Sequence, residues 1–226
     1  MTMRPTLAFD VFGTLVDPDG LIDPLRSLVG ERAPAFAAEW RRRQVEYLFR
    51  RAAMGQYRPF VDVTAAALDD TAALFDVGPD AATRTDLIAG WWRLPRLPDA
   101  ADALAALATA GFPRVAFSNG GVADVDRLLQ AAGLRDSLEA VHGVETSAQY
   151  KPAPAVYHGL AVELALEPQC VWLVSANFWD AAGARAAGLN SVWVARGRAA
   201  EHWEWQPSVI VEQLADLADQ TGVLVS

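Results

Sequence analysis

Sulfur and lysine are both nearly missing from this chain. One cysteine, Cys170, in 226 residues excludes an internal disulfide and any multi-cysteine metal site; standing just ahead of an apolar run, it reads as an inert core residue. Three histidines, His142, His158 and His202, lie far apart without metal-ligand spacing. No apolar run reaches the roughly 18 residues that span a bilayer. The opening stretch, Met1 to Pro5, lacks the length and cleavage site of a secretory signal. A cytoplasmic protein with no membrane partner is expected. Cations are also scarce: 19 Lys and Arg against 28 Asp and Glu give a formal charge of −9, which disfavours nucleic acid as a partner. Lys151 is the one lysine among those 19 cations, and every other basic side chain is Arg.

What the chain does have is apolar mass, 52% of its residues, at a length that supports a self-sufficient core. Leu7 to Phe12 form an apolar run broken by Asp10 and closed by Gly13-Thr14, the pattern of a buried strand ending in a turn. From Asp17 to Arg96 the texture is helical, with Trp40, Tyr47 and Met54 at seven-residue intervals, Leu48 and Arg51 beside them, and no strand signal. Beyond Pro98 strands and helices alternate. Helices are expected over 99–110, 122–132, 153–166 and 179–187, and strands over 115–117, 140–144, 171–174 and 191–194. Such alternation specifies a mainly parallel α/β sheet.

Ligands of open parallel sheets bind beyond the carboxyl ends of the strands. Asp10, Ser118-Asn119 and Ser175-Asn177-Asp180 each follow an apolar strand run, so three segments deliver polar groups to one edge. A single polar residue after a strand is most often a turn or cap. Three converging segments, one with an acid inside an apolar run, point to a site.

Ala8-Phe9-Asp10-Val11-Phe12-Gly13-Thr14-Leu15-Val16-Asp17 resembles the first motif of the haloacid dehalogenase superfamily. Ser118-Asn119-Gly120, Tyr150-Lys151-Pro152 and Val174 to Asp180 resemble its later motifs, in order. Trp40-Arg41, Gln44 to Tyr47 and Val156-Tyr157 are similar to the 2-haloacid dehalogenases in particular. The resemblance implies a Rossmann-like, mainly parallel sheet core over residues 1–16 and 97–226 and an inserted helical cap over 17–96. It implies Asp10 as nucleophile, attacking the α-carbon of a short (S)-2-haloalkanoate to form an ester that water hydrolyses to the (R)-2-hydroxy acid. Arg41, Asn119 and Trp179 then match the halide cradle, Ser118 the substrate-carboxylate ligand, and Thr14, Ser175, Asn177, Asp180 and Tyr157 the network around Asp10 and Lys151. Val11, Phe12, Phe60, Trp91, Trp92, Phe178 and Trp179 are expected to wall the pocket. Trp91-Trp92, Arg42, Ala176 and Phe178 depart from the family's common choices and bear on substrate size. Arg42 and Arg43 read as a solvated helix face.

Position 12 separates two reactions. Superfamily phosphatases carry an Asp two residues after the nucleophile to protonate the leaving alcohol, and Phe12 cannot transfer a proton. Halide leaves without protonation. Those phosphatases also bind magnesium, whereas here Lys151 is expected to supply the charge, with no cofactor and no metal. The rival readings are ring opening of azetidine-2-carboxylate, which would call for a further pocket carboxylate, a phosphatase, and a non-catalytic binding protein on the same scaffold, which would be expected to lack the nucleophile or the lysine. A homodimer is expected from the resemblance and from the prevalence of two-fold oligomers.

A surface lysine in this chain should have been Arg like the rest, whereas a buried point charge beside Asp10 requires Lys. Lys151→Arg is therefore expected to fold normally and lose most hydrolytic activity, as measured by thermal unfolding alongside turnover. Near-normal turnover would make the lone lysine a matter of composition.

Overall fold

Leu7, Ala8 and Phe9 are fully buried, and a strand without a polar face must be covered on both sides. The computed structural model, which describes residues 4–199 and 201–224, meets that requirement with a six-stranded parallel sheet sandwiched by helices. Its strands are β1 (Thr6–Phe9), β2 (Arg114–Phe117), β3 (Ala140–His142), β4 (Val171–Ser175), β5 (Asn190–Val194) and β6 (Val209–Val211), in the order β3-β2-β1-β4-β5-β6. Every strand pair is parallel, with Ala8 opposite Val115 on one side and Leu173 on the other. The chain leaves β1 in one direction across the sheet and returns past it to β4, so the crevice of the fold opens at the carboxyl end of β1.

Between β1 and β2 lie α1 (Ile22–Val29), α2 (Ala33–Met54), α3 (Phe60–Leu74), α4 (Ala81–Gly90) and α5 (Ala100–Thr109), with a 3-10 turn joining α1 to α2 and no strand among them. The segment leaves and re-enters the sheet side by side: Asp17 N donates to Pro95 O at 2.8 Å and Leu97 N to Leu15 O at 2.9 Å. After β2 come α6 (Val122–Ala131), α7 (Pro154–Glu163), α8 (Phe178–Ala186) and the terminal turn α9 (Thr221–Leu224). Among the described residues no helix is long and apolar enough to cross a membrane.

Several local expectations need correction. The buried stripe of α2 is Ala33, Phe36, Ala37, Trp40, Gln44 and Leu48, at three- and four-residue steps, while Met54 is 63% exposed and Tyr47 half-buried. A straight helix repeats every 3.6 residues, so a strict seven-residue seam drifts off its buried face. The helix expected over 153–166 ends at Glu163, and Ala165 turns the chain with φ of 53°. Cys170 closes a 3-10 turn at the amino edge of β4 and is half-buried, outside the core. Strand β6 was not expected, because Val209–Val211 has only three residues and its central Ile210 is exposed.

The central strands hold the sheet to both helical layers. Leu173 on β4 has no exposed surface, and Leu173→Ala should lower the unfolding free energy by about 2–5 kcal/mol, measured by urea denaturation. A loss well under about 1 kcal/mol would mean that the site collapses around the smaller side chain.

Candidate active site

Asp10 stands one residue beyond β1, its backbone N–H still bonded to Val174 O of β4 at 2.9 Å. The chain then folds back tightly: Val11 O accepts from the backbone N–H groups of Leu15 and Val16, and Gly13 takes φ of 87°, which a residue with a Cβ adopts only under strain. This turn returns Thr14 to the nucleophile-like carboxylate. Thr14 Oγ1 donates to Asp10 Oδ2 at 3.0 Å and itself accepts from Ala176 N at 2.8 Å. Asn177 Nδ2 donates to the same Oδ2 at 2.9 Å, and Ser175 Oγ at 3.4 Å. Asn177 sits at the N-cap of α8 yet caps nothing with its side chain, which is given over to Asp10 instead.

Oδ1 of Asp10 has a different environment. Its one protein partner among the described residues is Lys151 Nζ at 3.4 Å. That ammonium is fully buried and has three further neighbours: Phe117 O at 2.8 Å, Asp180 Oδ2 at 3.0 Å and the Phe117 ring, 4.3 Å from centroid to nitrogen. An ammonium has three N–H bonds, and here three oxygens from separate elements take them. Asp180 is fully buried on α8 and its second oxygen accepts from Tyr157 Oη at 2.7 Å. Burial pushes the Asp180 carboxyl up from the ordinary carboxylate range and Asp10 adds to the rise, while Lys151 and the Tyr157 hydrogen bond oppose it. Burial, reinforced by the Asp180 charge, drives Tyr157 well above its usual range, so its phenol remains a donor. Gly183 allows α8 to approach this close: a Cβ there would fall 2.8 Å from Tyr157 Oη and 2.6 Å from Pro152 Cβ.

Opposite this sheet edge, α2 presents Arg41, Val45 and Leu48 along one face, and α3 begins with Phe60. Together with Asp10, Phe12, Asn119, Asn177 and Trp179 they enclose a cavity of about 10 Å³, about the least room that a single water needs. Phe12 stacks on Phe60 at 5.3 Å and meets Trp91 and Trp92 edge-on at 5.6 and 6.1 Å, so the two tryptophans form a second layer behind the wall. Asn119 Oδ1 accepts from Lys151 N at 3.0 Å, which leaves the Nδ2 of this cavity-lining amide as its available donor. Burial lowers the pKa of the Arg41 guanidinium, with the Asp10 charge opposing. Larger cavities of about 430 Å³ beside α4 and about 410 Å³ beside Trp203 and Trp205 contain neither the buried lysine nor its two carboxylates.

Twelve of the fourteen residues singled out from the sequence as site residues thus converge here, either at the cavity or within one hydrogen bond of Asp10, Lys151 or Asp180; Val11 and Ser118 are the two that do not. Val11 does not line the cavity, and its carbonyl is taken up by the amides of the turn after Asp10; the Ser118 hydroxyl is buried and accepts from Gly120 N at 3.0 Å. Phe178, expected as pocket wall, points away and packs edge-on against Trp193 at 5.2 Å in a separate cluster. Arg42 and Arg43 ion-pair with Glu39, as a solvated face should. Val45 and Leu48 line the cavity without having been assigned to it; their spacing of four and seven from Arg41 was the available signal.

Comparison with known proteins follows this geometry. A family profile described as haloacid dehalogenase-like hydrolase matches residues 5–188. The chain is 32% identical over 217 residues to (S)-2-haloacid dehalogenase 1 of Pseudomonas sp. (strain CBS-3), spanning 96% of this chain and 95% of that protein. It is 35% identical over 194 residues to the (S)-2-haloacid dehalogenase of Xanthobacter autotrophicus, covering 86% and 76%. The solved structure of L-2-haloacid dehalogenase from Xanthobacter autotrophicus with chloropropionic acid covalently bound superposes with a TM-score of 0.89 at 30% identity, over 97% of this chain and 99% of that one.

Because the Tyr157 hydrogen bond is one of the contacts holding Asp180 ionised, Tyr157→Phe should move the Asp180 titration to higher pH. Carbon NMR of aspartate-labelled protein measures it. A midpoint unchanged or lowered would show that the phenol does not act on this carboxylate.

Proposed function

The chain belongs to the haloacid dehalogenase-like hydrolases, and from that membership we propose that it hydrolyses short (S)-2-haloalkanoic acids to (R)-2-hydroxy acids through an ester on Asp10. The observation that carries this reading is the asymmetry of the Asp10 carboxylate. Three side-chain donors hold Oδ2, while Oδ1 has only the 3.4 Å contact to Lys151 and belongs to a residue lining the cavity.

In the first step Oδ1 attacks the α-carbon, the carbon–oxygen bond forms, and the halide leaves with the electron pair of the carbon–halogen bond. Arg41, Asn119 and Trp179 receive the halide, and Ser118 with the neighbouring backbone receives the substrate carboxylate. Phe12, Phe60, Val45 and Leu48 give the site an apolar wall, which suits the alkyl part of haloacetates and 2-halopropionates. In the second step water attacks the ester carbonyl carbon and gives a proton to the Asp180–Lys151 pair; the acyl carbon–oxygen bond then breaks, a proton passes to the departing alkoxide to give the 2-hydroxy acid, and the second water proton is released as Asp10 returns to carboxylate. Thr14, Ser175 and Asn177 stabilise the oxyanion that forms at Asp10. The core of residues 1–16 and 97–226 supplies the reacting groups and the cap of 17–96 supplies Arg41 and the apolar wall. The crossing at Val16 and Arg96 supports those boundaries. The enzyme works in the cytoplasm as a homodimer, the commonest symmetric state.

Magnesium, implied for the phosphatases of this superfamily, does not suit these residues. Lys151 Nζ lies between Asp10 Oδ1 and Asp180 Oδ2, where a metal would have to displace a buried cation, and the side chain of Phe12 offers no oxygen. Phe12 likewise leaves no acid for a leaving alcohol, against the phosphatase reading. Azetidine-2-carboxylate opening would need a second carboxylate facing the substrate; Asp10 is the one carboxylate among the residues lining the cavity.

Halide release from chloro-, bromo- and fluoroacetate and from both 2-chloropropionate enantiomers tests the function. Release should be confined to the S enantiomer of the chiral pair, survive exhaustive chelation and vanish in Asp10→Asn. In heavy-oxygen water the first turnover should place unlabelled oxygen from Asp10 in the product. No halide from any of these acids sinks the proposal, and direct solvent labelling of the first product sinks the ester route.

A further inference from the structure

Arg42, Arg43 and Arg50 of α2 each pair with Glu39 or Glu46. Arg41, one residue away and facing the cavity, has no carboxylate within ion-pair distance among the described residues. Its guanidinium lies 5.9 Å from the Phe12 ring centroid and 5.6 Å from that of Trp91, and its Nη1 donates to Gln44 Oε1 at 2.6 Å. A partly buried arginine ordinarily takes a bidentate carboxylate partner. This one takes a neutral amide.

The amide is itself locked. Gln44 is fully buried, and its Nε2 donates to Thr64 Oγ1 at 2.6 Å; Thr64 Oγ1 in turn donates to Phe60 O at 2.9 Å. Because Thr64 spends its proton on Phe60, it can only accept from Gln44, so Nε2 must point at Thr64 and Oε1 at Arg41. Trp40 Nε1 bonds the backbone oxygen of Thr64 at 2.9 Å and fixes the same turn of α3. The chain of bonds runs from the cavity through α2 into α3 and ends at Phe60, another wall of the cavity. An apolar side chain at 44 would satisfy the packing at less cost than a buried amide with two partners to find. A glutamate would hold the guanidinium more strongly and would cancel its charge.

We infer that Gln44 and Thr64 are positioning residues that aim Arg41 into the cavity while leaving it without an ion-pair partner, and that the neutral amide at 44 sets the affinity of the site for the departing halide. The inference rests on the dehalogenase reading for its ligand. Its geometry, a cation held by an amide whose orientation is forced, stands independently of turnover. In the reaction Arg41 would then approach the leaving halide without first breaking an ion pair.

The test measures chloride binding directly, by chlorine NMR line broadening, beside bromoacetate turnover and thermal unfolding, for wild type, Gln44→Glu, Thr64→Val and Thr64→Ser. Gln44→Glu, nearly isosteric, should bind chloride roughly tenfold or more weakly and lose turnover in proportion. Thr64→Val should weaken chloride binding by a smaller factor, and Thr64→Ser should restore it. A merely structural role would shift unfolding without moving the chloride affinity. Wild-type chloride affinity in folded Gln44→Glu overturns the inference, as does a wild type that binds no chloride. If wild type binds chloride and Gln44→Glu does not, but neither releases halide from haloacids, the inference stands and the dehalogenase reading fails.

Discussion

The buried ammonium of Lys151 is the contact on which the rest of the site depends. It brings together Asp10 from the end of β1, the carbonyl of Phe117 from β2 and Asp180 from the start of α8. Two carboxylates this deeply buried would repel each other and be driven to protonate without a cation between them. The cation must be compact, because its three acceptors converge on one point and the Phe117 ring closes the fourth side. A guanidinium spreads its donors over a plane and cannot occupy that position without displacing one of them. Removing one member of such a buried cluster typically costs about 3–5 kcal/mol, since the others are left without compensation.

Around this centre the two halves of the chain divide the electrostatics. The sheet edge carries both carboxylates, the lysine and the neutral donors on Asp10 Oδ2, so it fixes the orientation of the Asp10 carboxylate. The helical layer carries one cation, Arg41, in an otherwise apolar wall of Val45, Leu48, Phe60 and the Phe12 ring reaching up from the core. In a protein of formal charge −9, Arg41 is therefore the one cation among the residues lining the cavity. Close packing enforces the arrangement. Gly183 brings Tyr157 onto Asp180, and at Gly120 a Cβ would fall 2.8 Å from Val125 Cγ2 and 3.5 Å from Trp92 Cη2, so the cap-side tryptophan rests directly on the core.

Much of this was legible in order along the chain. Buried parallel strands are short apolar runs, and those ending at Phe9, Phe117 and Ser175 were found with their polar successors because periodicity and turn residues are local properties. Lys151 was legible for a compositional reason, as the one departure from a consistent preference for Arg. Less visible were elements whose stability comes from partners distant in sequence. Strand β6 exists because it pairs with β5, not because three residues prefer extension. The seven-residue spacing of Trp40, Tyr47 and Met54 looked like a seam, yet α3 covers the face through Gln44 and Leu48 instead.

The sequence by itself determined the order of elements, the identity of the acid at the first strand end, the absence of a second acid at position 12 and the singularity of the lysine, because each of these depends on residue type and near neighbours. Only the tertiary structure decided which oxygen of Asp10 is left open, which way the Gln44 amide faces, that Phe178 turns toward Trp193 while Trp179 turns to the cavity, and how little room remains between Arg41 and Asp10. Those properties are distances and angles between side chains up to 167 positions apart. No spacing rule along a chain encodes them; they follow from the packing of two helical layers against one sheet.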